Sequence, residues 1–327
     1  VEHGKIRDCH GDLRAGHIYF SDRIKIIDCI EFNDRFRYAD ITSDLAFLAM
    51  DLDFEGYPQI SQDLINTYLE YTKDEEMLIL LDFYKCYRAC VRAKVNCFHL
   101  QEKDLLMNAR SKLIRETEQL LKLAYRYAIQ YTRPTIWVVC GLPAGGKSTI
   151  AREMAKILGV QILQSDVVRK QLLGVPTDKP MDLPFESGIY SKEVSSLTYG
   201  KLVMLAQEVI EKGDSVILDA TVSHRHQRDE VIRLARDMDA NIIFIECATS
   251  YETLKKRLAD REKTVCISDA RLRHLKQLKA HFESSDELQN DMHLKINTEK
   301  SLDACMRQIL SHEYIFLTQQ TARAMKN

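Results

Sequence analysis

The sequence predicts an α/β chain in two parts: a parallel sheet with helices on both faces at 135–327, preceded by a mainly helical part at 1–131. Three observations predict it. Beyond Thr135, short apolar runs alternate with long amphipathic stretches, the pattern of a parallel sheet with helical crossovers. A glycine-rich stretch lies between the first of those runs and a helical segment. From about Ile41 to Tyr131, apolar residues recur at helical spacing with almost no Gly or Pro. The 327 residues suffice for two domains with separate cores, and Pro134 in "YTRPT" marks the boundary between them.

In chain order, "IKIIDC" (Ile24–Cys29) is short, β-branched and bounded by polar turns, which predicts a strand. Long helices follow to Tyr131. Within them Cys86, Cys90 and Cys97 recur at i, i+4 and i+11, the spacing of small hydrophobes on one buried helix face. The second part supplies strands at "TIWVVCG", "VQILQS", "SVILDA", "NIIFIEC" and "HLKIN".

With 46 basic and 48 acidic residues, the chain has no global field drawing it to nucleic acid or membrane. No apolar run approaches the roughly 18 residues of a membrane span, and no signal peptide is evident. Nine cysteines without a C-x-x-C pair fit a reducing compartment, so a cytoplasmic location is expected. The first residue is Val, which leads us to expect a start inside a longer protein.

"GLPAGGKS" fits the phosphate-binding pattern G-x-x-x-x-G-K-[ST] and stands where that chemistry needs it, after a strand and before a helix. Backbone amides of Gly141, Leu142, Pro143–Gly146 (no amide at Pro143 itself), Lys147, Ser148 and Thr149 would wrap phosphate oxygens. Within that run, which includes Ala144 and Gly145, Lys147 reaches the β and γ phosphates, and Ser148 can hold Mg²⁺. ATP and Mg²⁺ are the expected cofactors, and the fold is that of a P-loop NTPase.

"LQSDVVRKQLLG" puts Asp166 and Arg169 at i and i+3 on a first helical turn, at the carboxyl end of a strand, where open α/β sheets bind ligands. A carboxylate there can take the proton of an acceptor hydroxyl, and the arginine can hold an anionic part of that acceptor. Asp219 in "SVILDATVSHRHQRD" ends another strand, placed to hold Mg²⁺ through water; Thr221 would orient the acceptor. Spacing leaves Arg225 and Arg228 open between ligands and solvated residues. Arg257 and Arg261 in "YETLKKRLADREKT" share a helix face leading into a polar segment, Glu262–Ser268. That pattern fits either a solvated face or a lid that delivers arginine to the transferring phosphoryl group.

Together the P-loop, "SDVVR", "LDAT" and "RLADRE" resemble small P-loop kinases of the adenylate-kinase-like group, in its polynucleotide-kinase and zeta-toxin-like branch. The resemblance implies hydroxyl phosphorylation with Asp166 as general base. It does not name the acceptor, and nucleic acid enters only as one possible substrate. "HGDLRAGH", "IIDCIEFND" and "YADITSDLAFL" resemble the catalytic loop, metal-binding segment and buttressing helix of aminoglycoside phosphotransferases. By that resemblance Asp12 is the catalytic carboxylate, Asp28 a Mg²⁺ ligand, and His17 stands where the family usually has Asn. The whole chain then resembles a bacterial two-part aminoglycoside phosphotransferase and ATP-binding protein. Only Val1 to Cys9 stand before the loop, too few for a Gly-rich loop and strand Lys, so a partial kinase lobe with a vestigial site is expected. Two further readings stay open: small-molecule phosphorylation by the first part in a longer protein, and a non-catalytic ATP-binding regulatory module.

Overall fold

The computed structural model describes residues 4–176, 188–261, 271–289 and 291–324. The chain forms two compact units, Val1–Thr132 with Thr321–Asn327, and Arg133–Gln320. In chain order the first contains β1 (Ile6–Asp8), β2 (Ile18–Phe20), β3 (Ile24–Ile26), α1 (Asp34–Arg37), β4 (Tyr38–Asp40), α2 (Ile41–Phe54), α3 (Pro58–Thr72), α4 (Leu78–His99) and α5 (Met107–Thr132). The second contains β5 (Thr135–Cys140), α6 (Lys147–Leu158), β6 (Gln161–Gln164), α7 (Ser165–Leu172), α8 (Lys192–Ile210), β7 (Val216–Asp219), α9 (Arg225–Asp237), β8 (Asn241–Ala248), α10 (Tyr251–Arg261), α11 (Leu275–Ala280), β9 (His293–Asn297) and α12 (Leu302–Ala324).

In the first unit β1 pairs antiparallel with β4, and β2 with β3. β3 is shorter than its apolar run because Asp28 turns the chain at φ 64°, and the strand stops at Ile26. Helix α2 starts where the Asp40 carboxylate accepts from Thr42 N at 2.8 Å, the capping bond that satisfies an otherwise unpaired first-turn amide. Its Phe47 and Met50 pack with Ala89 and Ala93 of α4 and with Leu120, Leu123, Ala124 and Tyr127 of α5. The alanines let the helices approach closely. The cysteine stripe is not the buried face: Cys86 is half-buried, while Cys90 and Cys97 are exposed. Helical spacing put the three on one face, but Ala89 and Ala93, one turn apart, face the core instead.

The second unit is a five-stranded parallel sheet in the order β6-β7-β5-β8-β9. Every residue of β5 is buried, as a strand covered on both faces requires. Ile136, Val138 and Cys140 pack with Leu202 and Ala206 of α8 and Val231 and Leu234 of α9. Trp137 and Val139 pack on the other side with Ile150 and Met154 of α6 and Met306 and Ile309 of α12. Truncating a fully buried member such as Ile217 to Ala should cost about 2–5 kcal/mol. Register aligns Val139, Asp219 and Gln164 across β5, β7 and β6, so the carboxyl ends of these strands meet at one edge.

Candidate active site

The loop between β5 and α6 has the geometry of a phosphate cradle. Gly145 N donates to Leu142 O at 3.0 Å, closing a tight turn. A Cβ at Gly145 would lie 2.8 Å from Leu142 O, and one at Gly141 2.6 Å from Cys247 O, so both positions require glycine. Ala144 holds φ 63° at the tip. The first turn of α6 begins at Lys147, and its initial amides have no intrahelical acceptor, which makes a helix start an anion site. Lys147 Nζ donates to Gly141 O at 2.9 Å and Leu142 O at 3.0 Å, folding back over its own loop. Ser148 is half-buried beside it and Thr149 exposed.

Asp219 ends β7, is 6% exposed, and accepts from Gln164 Nε2 at 3.0 Å through Oδ2. Carboxylate and hydroxyl oxygens such as those of Asp219 and Ser148 are the donor type that a hard cation such as Mg²⁺ takes. Asp166 is half-buried in the first turn of α7, directly after β6. Arg169 is buried, donates through Nη1 to Ser195 Oγ at 3.1 Å and stacks 4.8 Å from the Tyr190 ring centroid. Thr221 is half-buried, and its carbonyl accepts from Gly141 N at 3.2 Å, tying the turn after β7 to the phosphate loop.

Of the other arginines, Arg228 and Arg257 are packed against protein groups, whereas Arg225 is exposed. Arg228 is 1% exposed and bonds Glu287 Oε1 at 2.5 Å, Ser284 O at 2.8 Å and Val222 O at 3.3 Å. It is a structural guanidinium, neither solvated nor directed at a ligand through those atoms. Arg225 is an exposed residue whose backbone N donates to Glu283 Oε2 at 2.6 Å. Arg257 donates from Nη1 to Ala144 O at 3.3 Å and Thr298 Oγ1 at 3.2 Å, and from Nη2 to Thr298 O at 2.8 Å. Thr298 Oγ1 in turn donates to Gly145 O at 2.7 Å. Arg257 therefore braces the phosphate loop from behind its carbonyls. The Arg261 side chain and Glu262–Ser268 lie outside the described residues.

In the first unit Asp12, His17 and Asp28 do come together, with potential ligand atoms within 4.8 Å of one another. Asp44 accepts from His10 N at 2.8 Å and Gly11 N at 2.9 Å, and Asp51 from Ala15 N at 2.9 Å, pinning this loop to α2. Within the cluster Arg14 competes with any cation for two of the ligand atoms. Arg14 Nη2 donates to both Asp12 Oδ2 and His17 Nε2, each at 2.9 Å, so a cation already uses those lone pairs. Imidazole is in any case a poor Mg²⁺ ligand.

Sequence reasoning missed Gln164, Thr298 and Arg14. Gln164 and Thr298 stand at or just past the carboxyl ends of β6 and β9, and that position was the available signal. Arg14 lay inside the quoted "HGDLRAGH", but nothing in spacing aims its side chain back at the loop.

Among the described residues no helix is long and apolar enough to cross a membrane. Residues 136–285 match a family model described as an AAA domain. An uncharacterized protein of Mycobacterium tuberculosis (strain H37Rv) is 35% identical over 266 residues, 80% of this chain and 51% of that protein. The chain thus spans about half the length of the curated relatives it matches. A shikimate kinase of Actinobacillus pleuropneumoniae serotype 5b is 33% identical over 86 residues, 24% of this chain and 50% of that enzyme. A gluconokinase structure from Sinorhizobium meliloti 1021 aligns at TM-score 0.44 and 15% identity, over 59% of this chain and 98% of its own. With its glycine-rich loop between β5 and α6 and its parallel strand order, the second unit has the α/β fold of a P-loop domain.

Proposed function

We propose that the chain is an ATP-dependent phosphotransferase whose working site is the second unit, with ATP and Mg²⁺ as cofactors and a small-molecule or nucleic-acid hydroxyl as acceptor. The observation that carries this reading is the convergence at one sheet edge. Asp166 follows β6, Asp219 ends β7 bonded to Gln164, and the phosphate loop follows β5. Similarity to a named shikimate kinase supports the same chemistry.

In this reading the loop amides and Lys147 hold the β and γ phosphates. Lys147 exchanges its two carbonyl acceptors, Gly141 O and Leu142 O, for phosphate oxygens. Ser148 and Asp219 hold Mg²⁺, which neutralises charge on the phosphates when bound. Asp166 takes the acceptor's hydroxyl proton as that oxygen bonds to the γ phosphorus and the bridging bond to ADP breaks. Arg169, pre-set by Ser195 and Tyr190, holds an anionic part of the acceptor, and Thr221 contributes to orienting it. Arg257 supports the loop, and Arg261 remains the candidate for contact with the transferring group. In this reading the first unit carries no phosphoryl transfer in this chain, and Arg14 donates to Asp12 and His17 instead. Cytoplasmic residence belongs to the same proposal.

The test is ADP release from ATP and Mg²⁺ with and without a panel of hydroxyl acceptors. Acceptor-stimulated release abolished by Lys147→Ala supports the reading. ATP binding with no release under any acceptor points to a regulatory module. Release that survives Lys147→Ala but not Asp12→Asn moves the activity to the first unit.

A further inference from the structure

Val222 lies in the turn between β7 and α9 with φ 47°, and its side chain is buried at 2% exposure. A β-branched residue in the left-handed region is a steric outlier. The other non-glycine residues with positive φ are Asp28, Lys73, Ala144 and Asp239; among these five described residues only Val222 is β-branched. Such strain persists only where the surroundings over-determine it, and it concentrates at functional sites.

The surroundings here are specific. Val222 N donates to Tyr199 Oη at 3.0 Å, and Val222 O accepts from Arg228 Nη1 at 3.3 Å. Tyr199 is 8% exposed and Arg228 1%, so neither anchor is in competition with bulk water. Glu287 and Ser284 O fix the guanidinium in turn. The residue before the strained one is Thr221, whose carbonyl accepts from Gly141 N at the root of the phosphate loop. Three residues before it stands Asp219. Relaxing Val222 would swing its amide away from Tyr199 and rotate the Thr221 carbonyl that meets Gly141.

We propose that Val222 is a positioning residue, clamped in the left-handed conformation by Tyr199 and Arg228, so that the turn after β7 fixes Thr221 and Asp219 against the phosphate loop. The inference rests on the phosphotransferase reading above for its catalytic consequence. Tyr199 and Arg228 act through Val222, not on the substrate. Their role is to hold the acceptor side of the site in register with the nucleotide side.

The test uses the full chain and three variants. Tyr199→Phe removes the acceptor of Val222 N–H and keeps the ring; Val222→Gly opens relaxed conformations; Val222→Asn keeps a residue tolerant of the left-handed region. Amide hydrogen exchange at Gly141, the ATP–Mg²⁺ dissociation constant and kcat for ADP release from ATP–Mg²⁺ are read for each. For Tyr199→Phe and Val222→Gly, exchange at Gly141 is expected to rise about tenfold and kcat to fall about tenfold, with ATP affinity within about threefold. Val222→Asn buries an amide in the apolar cluster with Leu202 and Val231 and so lowers melting temperature, but it should hold exchange at Gly141 closer to wild type than Val222→Gly does. A merely structural role would instead lower melting temperature, ATP affinity and kcat together, and that result overturns the proposal. So does unchanged exchange in Tyr199→Phe, or equal behaviour of the Gly and Asn variants. If the wild type binds ATP but releases no ADP with any acceptor of the panel, the phosphotransferase reading fails, and exchange at Gly141 alone then upholds or overturns the clamp.

Discussion

Gln164 and Asp219 end two neighbouring strands and join side chain to side chain, Gln164 Nε2 donating to Asp219 Oδ2 at 3.0 Å. The bond holds one carboxylate oxygen of a buried acid, and in the proposed reading the other faces the metal or its water. Asp219→Asn should raise the Mg²⁺ concentration for half-maximal ADP release by about tenfold or more, since the amide brings no charge to a hard cation. An unchanged Mg²⁺ titration removes Asp219 from the metal set. Gln164→Ala should lower stability by about 1–3 kcal/mol in a denaturant melt, because the buried acceptor loses its partner.

Lys147 donates to Gly141 O and Leu142 O, so its loss affects the conformation of the loop as well as its hold on phosphate. Lys147→Ala is expected to abolish detectable ATP binding by calorimetric titration. Wild-type affinity in that variant would rule out this loop as the nucleotide site.

Asp166→Asn should keep ATP affinity and lower acceptor-dependent turnover by about 10²- to 10⁴-fold, the usual worth of general base catalysis. Loss of ATP affinity instead would place Asp166 on the metal. Unchanged turnover would pass the base role elsewhere.

Arg257 binds Ala144 O and Thr298, which gives it a signature different from that of a lid arginine. Arg257→Ala should lower stability by about 1–3 kcal/mol and weaken ATP binding along with turnover. Arg257→Lys should recover little, since an ammonium cannot span those acceptors as the planar guanidinium does. A loss confined to kcat, with melting and ATP affinity intact, would return Arg257 to the transferring phosphoryl group.

Glu313 lies on α12 with Oε2 buried and without a hydrogen-bond partner among the described residues. Burial pushes its carboxyl from the ordinary 4.5 up to about 7. A raised acid pKa means the folded state binds the proton more tightly, so the Glu313 contribution to stability is fullest below pH 4.5 and is lost as pH rises through about 7. Glu313→Gln should therefore raise the unfolding free energy at pH 8 by about 3 kcal/mol and change it little at pH 4. An equal effect at both pH values would show that ionisation of Glu313 is not the cause.

Period and motif, which are local properties, made the sheet-and-helix alternation, the helical first part and the phosphate loop legible before any coordinates. The strand-end positions of Asp166 and Asp219 followed from the same patterns, because a strand's last residue is set by its own run and the turn after it. Partners distant in the chain were not legible. Arg257 finds Ala144 and Thr298, and Arg228 finds Ser284 and Glu287, through strand order and helix packing that no spacing encodes. The same holds for Cys90 and Cys97, exposed although their spacing matched a core stripe. Periodicity says which residues share a face; only the tertiary structure decides what covers it. Val222 is the sharpest case. Its local preference is for extended backbone, and the left-handed turn exists only because Tyr199 and Arg228, brought in by α8 and α9, bind its amide and carbonyl.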